Sequence, residues 1–249
     1  MPRVQGALYA VGDLHGRLDL LEELVDRILR DALDPDLPAE GPPVLAFVGD
    51  LIDRGPDSAG VLEFLSAIRQ WPDFECVFIM GNHEEMLLKF LDNPVQGRRW
   101  IRFGGYETLL SYGLNRLGDL DDDDNLVALA GQLRSVMGEH LRIFEELVAS
   151  YQFDNVLVTH AGADPSMPAA AQPPKVLAWG CDAFLKTRRT DGLWVVHGHH
   201  IVDEPSIQGG RIAIDTGAYT TGRLTALRLV GEDASFLSAT GEATPQEDC

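Results

Sequence analysis

Cysteine is scarce in this chain. Cys76, Cys181 and Cys249 are the three in 249 residues; they form no C-x-x-C pair and no even framework, which argues against a disulfide-stapled secreted domain and suits free thiols in a reducing cytoplasm. Positive charge is scarce too. Lys and Arg number 20 against 39 Asp and Glu, a net charge of -19, so the basic stripe that nucleic-acid binding requires is missing. Nowhere do about 18 apolar residues run together, and Met1 to Gly6 enter the first apolar segment without a hydrophobic leader. Neither membrane spanning nor export is expected, and no signal for an oligomeric state is present.

What the chain has in number is polar turns that follow apolar runs. Leu8 to Val11 precede Asp13, Val44 to Val48 precede Asp50, Cys76 to Met80 precede Asn82, Val156 to Val158 precede His160, and Leu193 to Val196 precede His197. Short runs rich in Val, Ile and Phe that end in Gly and Asp predict buried strands. Helical patterns follow the first three, as in Leu18, Leu21, Val25, Ile28 and Leu29 and again in Val61, Phe64, Leu65 and Ile68, with Pro56 placed to open the second helix. Strand, polar turn and helix in repetition predict an α/β fold of βα units with a largely parallel sheet. In such sheets the turns at the carboxyl ends line one crevice, where ligands bind. The length suits one domain over 1–249 with a single large core and room for an insertion.

Taken singly, these turn residues have plain readings. An Asp between strand and helix is most often an N-cap, a Gly beside it permits the turn, and an isolated His is more often a hydrogen-bonded side chain than a ligand. Together they do something caps have no reason to do. Asp13, His15 and Asp50 offer oxygen, nitrogen and oxygen, and Asn82, His160 and His199 offer an amide oxygen and two imidazoles, all on one expected rim. A mixed carboxylate and imidazole set suits Mn, Fe or Zn better than Ca or Mg. Asp50 is the natural bridge, since its two oxygens can hold two cations about 3.5–4 Å apart. Two divalent ions less two carboxylates leave the site positive enough to attract a phosphate dianion. A water between the cations would be acidic enough to attack phosphorus near neutral pH.

The segments GDLHG from Gly12, GDLIDRG from Gly49, GNHEE from Gly81, HAG from His160 and the GH of HGHH from His197, in this order, resemble the phosphoprotein phosphatase family of two-metal enzymes. The likeness is strongest to its compact bacterial and bacteriophage Ser/Thr phosphatases, and diadenosine tetraphosphatases share most of the motifs. The resemblance runs from about Leu8 to Val230. It implies a calcineurin-like metallophosphoesterase β-sandwich of two mixed sheets flanked by helices. It also implies Asp13, His15 and Asp50 on one metal and Asp50, Asn82, His160 and His199 on the other, with manganese foremost and Fe or Zn as other choices. By the same likeness His83 is the general acid, Asp53 orients it, and Arg54 with Asn82 grips the phosphoryl group. These roles also suit the residue types, since a carboxylate beside a His raises its proton affinity and the Arg fork matches two phosphoryl oxygens.

The expected activity is that of a cytoplasmic phosphomonoesterase of Ser/Thr protein phosphatase type, acting on phosphoprotein or phosphopeptide without a phosphoenzyme. A bis(5'-nucleosyl)-tetraphosphatase acting on a nucleoside polyphosphate is one alternative, and a weakly active phosphate-sensing relative is another. Two departures from the family pattern bear on this. Where bacterial members carry an Arg in a Trp-x-Arg-Asp stretch, this chain has Trp179, Gly180, Cys181 and Asp182, so Arg188 or Arg189 is expected to compensate or the substrate site to be weaker or differently shaped. His200 stands where relatives have Thr and competes with His199 as ligand, while His197 is expected to be structural.

Between about 94 and 151 the βα rhythm gives way to helical patterns, Ile101 to Tyr112 and Leu126 to Val148, separated by the acidic run Asp119 to Asp124. This predicts a helical cap beside the substrate groove, bordered by Trp100 and Tyr106, with the aspartates in a solvated loop because they lack EF-hand spacing. Pro165 to Pro174 reads as a loop near the entrance, and the tail over 241–249 is expected to fray.

Overall fold

The computed structural model describes residues 1–34 and 41–243. The expected fraying tail is therefore described only as far as 243, and the rest of it, with Cys249, lies outside the described residues. The strands are β1 (Ala7–Val11), β2 (Val44–Phe47), β3 (Glu75–Phe78), β4 (Ser150–Phe153) and β5 (Val156–Thr159), then β6 (Trp194–His197), β7 (Ser206–Gln208), β8 (Arg211–Ala213), β9 (Arg223–Val230) and β10 (Asp233–Thr240). They form two five-stranded mixed sheets, ordered β10-β9-β1-β2-β3 and β4-β5-β6-β8-β7.

The five expected strands, β1, β2, β3, β5 and β6, run parallel to one another within each sheet. Antiparallel strands flank them: β9 pairs with β1, β10 with β9, β4 with β5 and β7 with β8. The expectation of a largely parallel sheet is corrected accordingly. Of the additional strands, β10 is polar and alternating and β7 and β8 are only three residues long, so these carry no apolar run to mark them, whereas β9 is largely apolar and buried.

Alternation along β1 shows how the chain fills both faces of the first sheet. Leu8 and Ala10 join Val44, Ala46, Val156, Val158 and Val196 between the sheets, while Tyr9 and Val11 join Leu45 and Phe47 under the helices. Burial on both faces is why these strands read as continuous apolar runs. Each fully buried Leu, Val or Phe contributes about 1.5–3 kcal/mol.

Helix α1 (Leu18–Ala32) buries Leu20, Leu21, Leu24, Val25 and Ile28 against that outer face. Helix α2 (Ser58–Ile68) is capped by Asp57, whose side chain accepts from the Gly60 N–H at 2.8 Å, so Pro56 lies before the cap and not at the first helical position. Helix α3 (Asn82–Asp92) leads to α4 (Pro94–Gly97), a kinked turn over Ile101–Gly105, α5 (Tyr106–Ser111), α6 (Asp123–Met137) and α7 (Leu141–Glu146). The helix expected over 126–148 is broken at Gly138, whose φ of 51° no helix interior accepts. The acidic run is only partly loop. Asp122 caps α6 and accepts from the Asp124 and Asn125 N–H groups, placing carboxylates at the positive end of the helix dipole.

After β5 come α8 (Pro174–Trp179), opened by Pro174, and α9 (Asp182–Lys186); α10 (Ala218–Thr221) follows β8. Cys76 and Cys181 are free thiols. Among the described residues no helix is long and apolar enough to cross a membrane.

Candidate active site

The carboxyl ends of β1, β2 and β3 meet those of β5 and β6 at one rim, and Asp50 lies at the join. Asp50 Oδ2 is 3.4 Å from His15 Nε2 and 3.9 Å from His83 Nε2, and Oδ1 is 3.4 Å from His160 Nε2. His15 Nδ1 donates to the Ile52 carbonyl and His160 Nδ1 to the Val48 carbonyl, each at 2.9 Å. A carbonyl can only accept, so both rings carry their proton on Nδ1 and turn a bare Nε2 inward, the arrangement a ligating histidine requires. His160 Nε2 also faces Asn82 Oδ1 at 2.9 Å. Two acceptors held lone pair to lone pair suit adjacent ligands of a single cation.

Across the join, Asp13 Oδ2 accepts from the His199 N–H at 3.0 Å. Its buried Oδ1 has no hydrogen-bond partner, a cost of about 1–3 kcal/mol unless a cation takes the lone pairs. Nitrogen and oxygen atoms of Asp50, His160 and His199 lie within 4.8 Å of one another, as do those of His15, Asp50 and His83. The first group matches three of the ligands expected together, with Asn82 in contact. On the second side the structure sets His83 beside His15 and Asp50, and holds Asp13 against the turn of His199.

The histidines divide into two kinds. Burial pushes His15 and His160 below the ordinary imidazole range and His199 down to about 4, leaving all three neutral and able to ligate. Burial also acts against a charged His83, but the Asp50 and Asp53 carboxylates outweigh it and hold His83 above its ordinary range. Asp53 is fully buried; its Oδ2 takes His83 Nδ1 at 2.7 Å and Trp100 Nε1 at 2.8 Å, and Thr108 donates to Oδ1 at 2.7 Å. Burial pushes Asp50 up, yet the balance holds it below its ordinary range, with the charge of His83 beside it and the His83 backbone N–H donating to Oδ1 at 3.1 Å. Opposite protonation preferences in one cleft are a mark of acid–base and ligand division of labour.

The backbone is strained where these side chains are presented. His15, Asp50, Asp53, Arg54 and His199 all have positive φ, between 43° and 74°, a region costly for residues with a Cβ and concentrated at functional sites. Two glycines let the turns approach. A Cβ on Gly81 would sit 2.3 Å from Asp50 Oδ1, and one on Gly198 would sit 1.8 Å from Asp13 Oδ1.

A model of the calcineurin-like phosphoesterases matches residues 7–203, the span that contains every residue of this cluster. The chain belongs to that family. Its similarity to the asymmetrical bis(5'-nucleosyl)-tetraphosphatase PrpE of Halalkalibacterium halodurans is 27% identity over 235 residues, covering 88% of each chain. To serine/threonine-protein phosphatase 2 of Escherichia coli it is 26% over 230 residues, covering 88% of this chain and 90% of that one. A crystal structure described as a candidate diadenosine tetraphosphatase superposes with a TM-score of 0.65 at 21% identity, covering 97% of each chain, which shows a shared fold.

Within this calcineurin-like centre the structure adds residues that the sequence reading left out. Glu84 is fully buried and accepts from the N–H groups of Asp50, Leu51 and Gly81 at 2.8–3.0 Å. It stands three residues past Gly81, the spacing of a capping box, and that spacing was the available signal. Asp215 follows β8 and lies beside Asp13; burial pushes it up to about 6. Only the three-residue β8 precedes it, too short a strand to mark the turn. Tyr219 Oη accepts from Arg54 Nη1 at 2.9 Å, with the guanidinium 4.8 Å from the ring centre.

Other expectations change. Arg189 is buried and committed to Asp191 and the carbonyls of Asp164 and Met167, and neither it nor Arg188 lines the cavity beside His83, so neither takes the place of the charge absent at Cys181. His199, and not His200, groups with Asp50 and His160. His197 is buried, bonds the Gly198 carbonyl and packs edge-on against Phe184. Trp100 is buried within the cap and reaches the cavity wall, whereas Tyr106 is exposed and lies off it.

Proposed function

We propose that this phosphoesterase cleaves a phosphoanhydride of a nucleoside polyphosphate at a two-metal site. Asp13, His15, Asp50, Asn82, His160 and His199 are assigned to hold two divalent ions, with manganese as the leading choice for this mixed nitrogen and oxygen set. Bound there, the ions supply an activated water and offset phosphoryl charge. Arg54, steadied by Tyr219, turns its fork to the phosphoryl oxygens, and Asn82 borders the same group. His83 gives its Nε2 proton to the departing oxygen as the phosphorus–oxygen bond breaks. Asp53 holds Nδ1, so the ring keeps both its orientation and its charge.

The observation that carries the substrate class is the run of cations beyond the reacting corner. Lys89 and Arg99 line the same cavity as Arg54, Asn82 and His83, and neither makes an ion pair among the described residues. Seven helical steps separate Asn82 from Lys89, about 10 Å along the axis. A single phosphoester does not span that length, and a chain of phosphates does. The likeness to PrpE supports the same class. The protein phosphatase reading, foremost from sequence, is favoured by the protonated His83, because an alkoxide leaving group needs a proton and a phosphate leaving group needs one far less.

Turnover of diadenosine tetraphosphate and of phosphoserine and phosphothreonine peptides by manganese-loaded enzyme separates the two. Faster cleavage of the tetraphosphate is expected, and fast peptide turnover with an inert tetraphosphate would reverse the assignment. His83→Asn should lower kcat by about 10²–10⁴ on a serine ester and by less on the anhydride, with metal content unchanged.

A further inference from the structure

The cavity beside His83 has a volume of about 410 Å³, within the roughly 300–1,000 Å³ of small-molecule sites. Its floor is one face of α3, where Asn82, Met86 and Lys89 recur at helical spacing. Its sides carry two aromatic rings that the core does not claim: Phe103 is 54% exposed and Trp179 is 39% exposed. Trp179 is held through its ring and Phe103 through the backbone beside it. The Trp179 indole N–H donates to Glu85 Oε2 at 2.8 Å. Phe103 sits in the non-helical kink before α5, and the next residue, Gly104, accepts the Arg54 N–H at 3.0 Å. The ring of Phe103 is thus carried on backbone that is tied directly to the phosphate-facing arginine.

We infer that Phe103 and Trp179 form a clamp for the base of a nucleoside polyphosphate, with Lys89 and Arg99 receiving phosphates beyond the one attacked. This rests on the nucleotide reading of the same site. Large exposed aromatics in a pocket are left wet by the fold and gain by covering a planar ring, and the Met86 thioether on the same lining adapts to the ring's outline. A nucleobase is the planar group that arrives attached to phosphates.

The charges agree with the rings. A chain carrying a net charge of -19 repels a polyphosphate everywhere except where cations are concentrated, and Arg54, Lys89 and Arg99 are concentrated here. The one carboxylate on the lining, Glu85, is engaged in holding the indole. The clamp also accounts for the departure at Cys181. Trp179 lies two residues before it, and the charge missing from that turn is provided elsewhere on the lining, by the cap residue Arg99 and by Lys89 of α3.

A phosphopeptide would place its phosphate at the same corner but has no fixed planar group one position away. Stacking against a base is indifferent to which base it is, so the clamp should accept adenine and guanine alike.

The test uses the full-length, manganese-loaded protein and calorimetric titration with a methylene-bridged, non-hydrolysable diadenosine tetraphosphate, and separately with inorganic tripolyphosphate. Phe103→Ala and Trp179→Ala should each weaken the dinucleotide by about 5- to 100-fold, the range of a lost base stack, and leave tripolyphosphate binding unchanged. Lys89→Gln with Arg99→Gln should weaken both probes. Hydrolysis of glycerol phosphate, which reaches only the corner at His83, should be unaffected by the two aromatic substitutions, and the exposure of both rings spares the fold.

Dinucleotide affinity that is the same in wild type and both aromatic variants overturns the clamp. If the hydrolysable tetraphosphate is turned over fast by those variants and wild type alike, the activity stands and the clamp falls. If the analogue binds through both rings and the tetraphosphate is not cleaved, the clamp stands and the activity falls. A phosphoserine peptide that binds through Phe103 and Trp179 while neither nucleotide binds overturns it in favour of a peptide groove.

Discussion

Replacing Glu84 by Gln isolates the hidden support of the turns that carry Asp50 and Gly81. The Glu84 carboxyl receives three backbone N–H groups: Asp50 at 2.9 Å and Gly81 at 3.0 Å on Oε2, and Leu51 at 2.8 Å on Oε1. Glutamine has one amide oxygen. Placed at the Oε2 position it keeps two of the three bonds and turns its NH₂ against the Leu51 N–H, leaving a buried donor facing a donor. The loss is about 1–3 kcal/mol, which for a chain of this length lowers Tm by roughly 2–12 °C.

An opposing effect depends on the metals. Burial and the nearby Asp50 charge push Glu84 up to about 8, so in metal-free protein the charged form is disfavoured as pH rises from the unfolded carboxyl range toward 8. Removing that charge by Gln returns part of the loss. Two bound cations offset Asp50 and remove this relief, so the full hydrogen-bond loss should appear only in loaded protein. Calorimetric melting of wild type and Glu84→Gln, with manganese and after chelation, should show the larger drop with manganese. An unchanged midpoint in the loaded variant, or a larger drop after chelation, would refute the reasoning.

Asp53→Asn removes a charge that holds His83 above its ordinary range. The acid form of His83 is present below its folded pKa and lost as pH rises through it, so the alkaline limb of kcat/KM should move to lower pH; an unmoved limb would remove His83 from the proton-transfer role. Asp50→Asn takes a charge and a shared ligand from both assigned metal positions, and elemental analysis should find the ions lost; retention of two would contradict the bridge. Gly81→Ala drives a methyl to within 2.3 Å of Asp50 Oδ1 and 2.4 Å of its backbone N, an overpacking cost of about 1–3 kcal/mol or more, readable as a lower urea midpoint together with weaker metal retention.

The apolar runs before Asp13, Asp50, Asn82, His160 and His197 determined by themselves that these residues would follow buried strands, because a strand covered on both faces admits few polar side chains. The order of the turn motifs likewise carried the family. Sequence could not place the three-residue β8 or the polar β10, whose pairing comes from neighbours already in the sheet, and so it missed Asp215. Nor could it show the broken helix at Gly138 or the commitment of Arg189 to Asp191.

Which histidines are neutral and which holds a proton was decided only by tertiary structure. His15, His83, His160 and His199 are the same side chain; buried carbonyls and carboxylates from distant segments set their tautomers and charge. The pairing of Phe103 with Trp179 across one cavity has the same origin, since the cap and α8 meet only when both sheets have closed. Local periodicity is a property of neighbours along the chain, whereas the field at an imidazole and the walls of a cavity belong to neighbours in space.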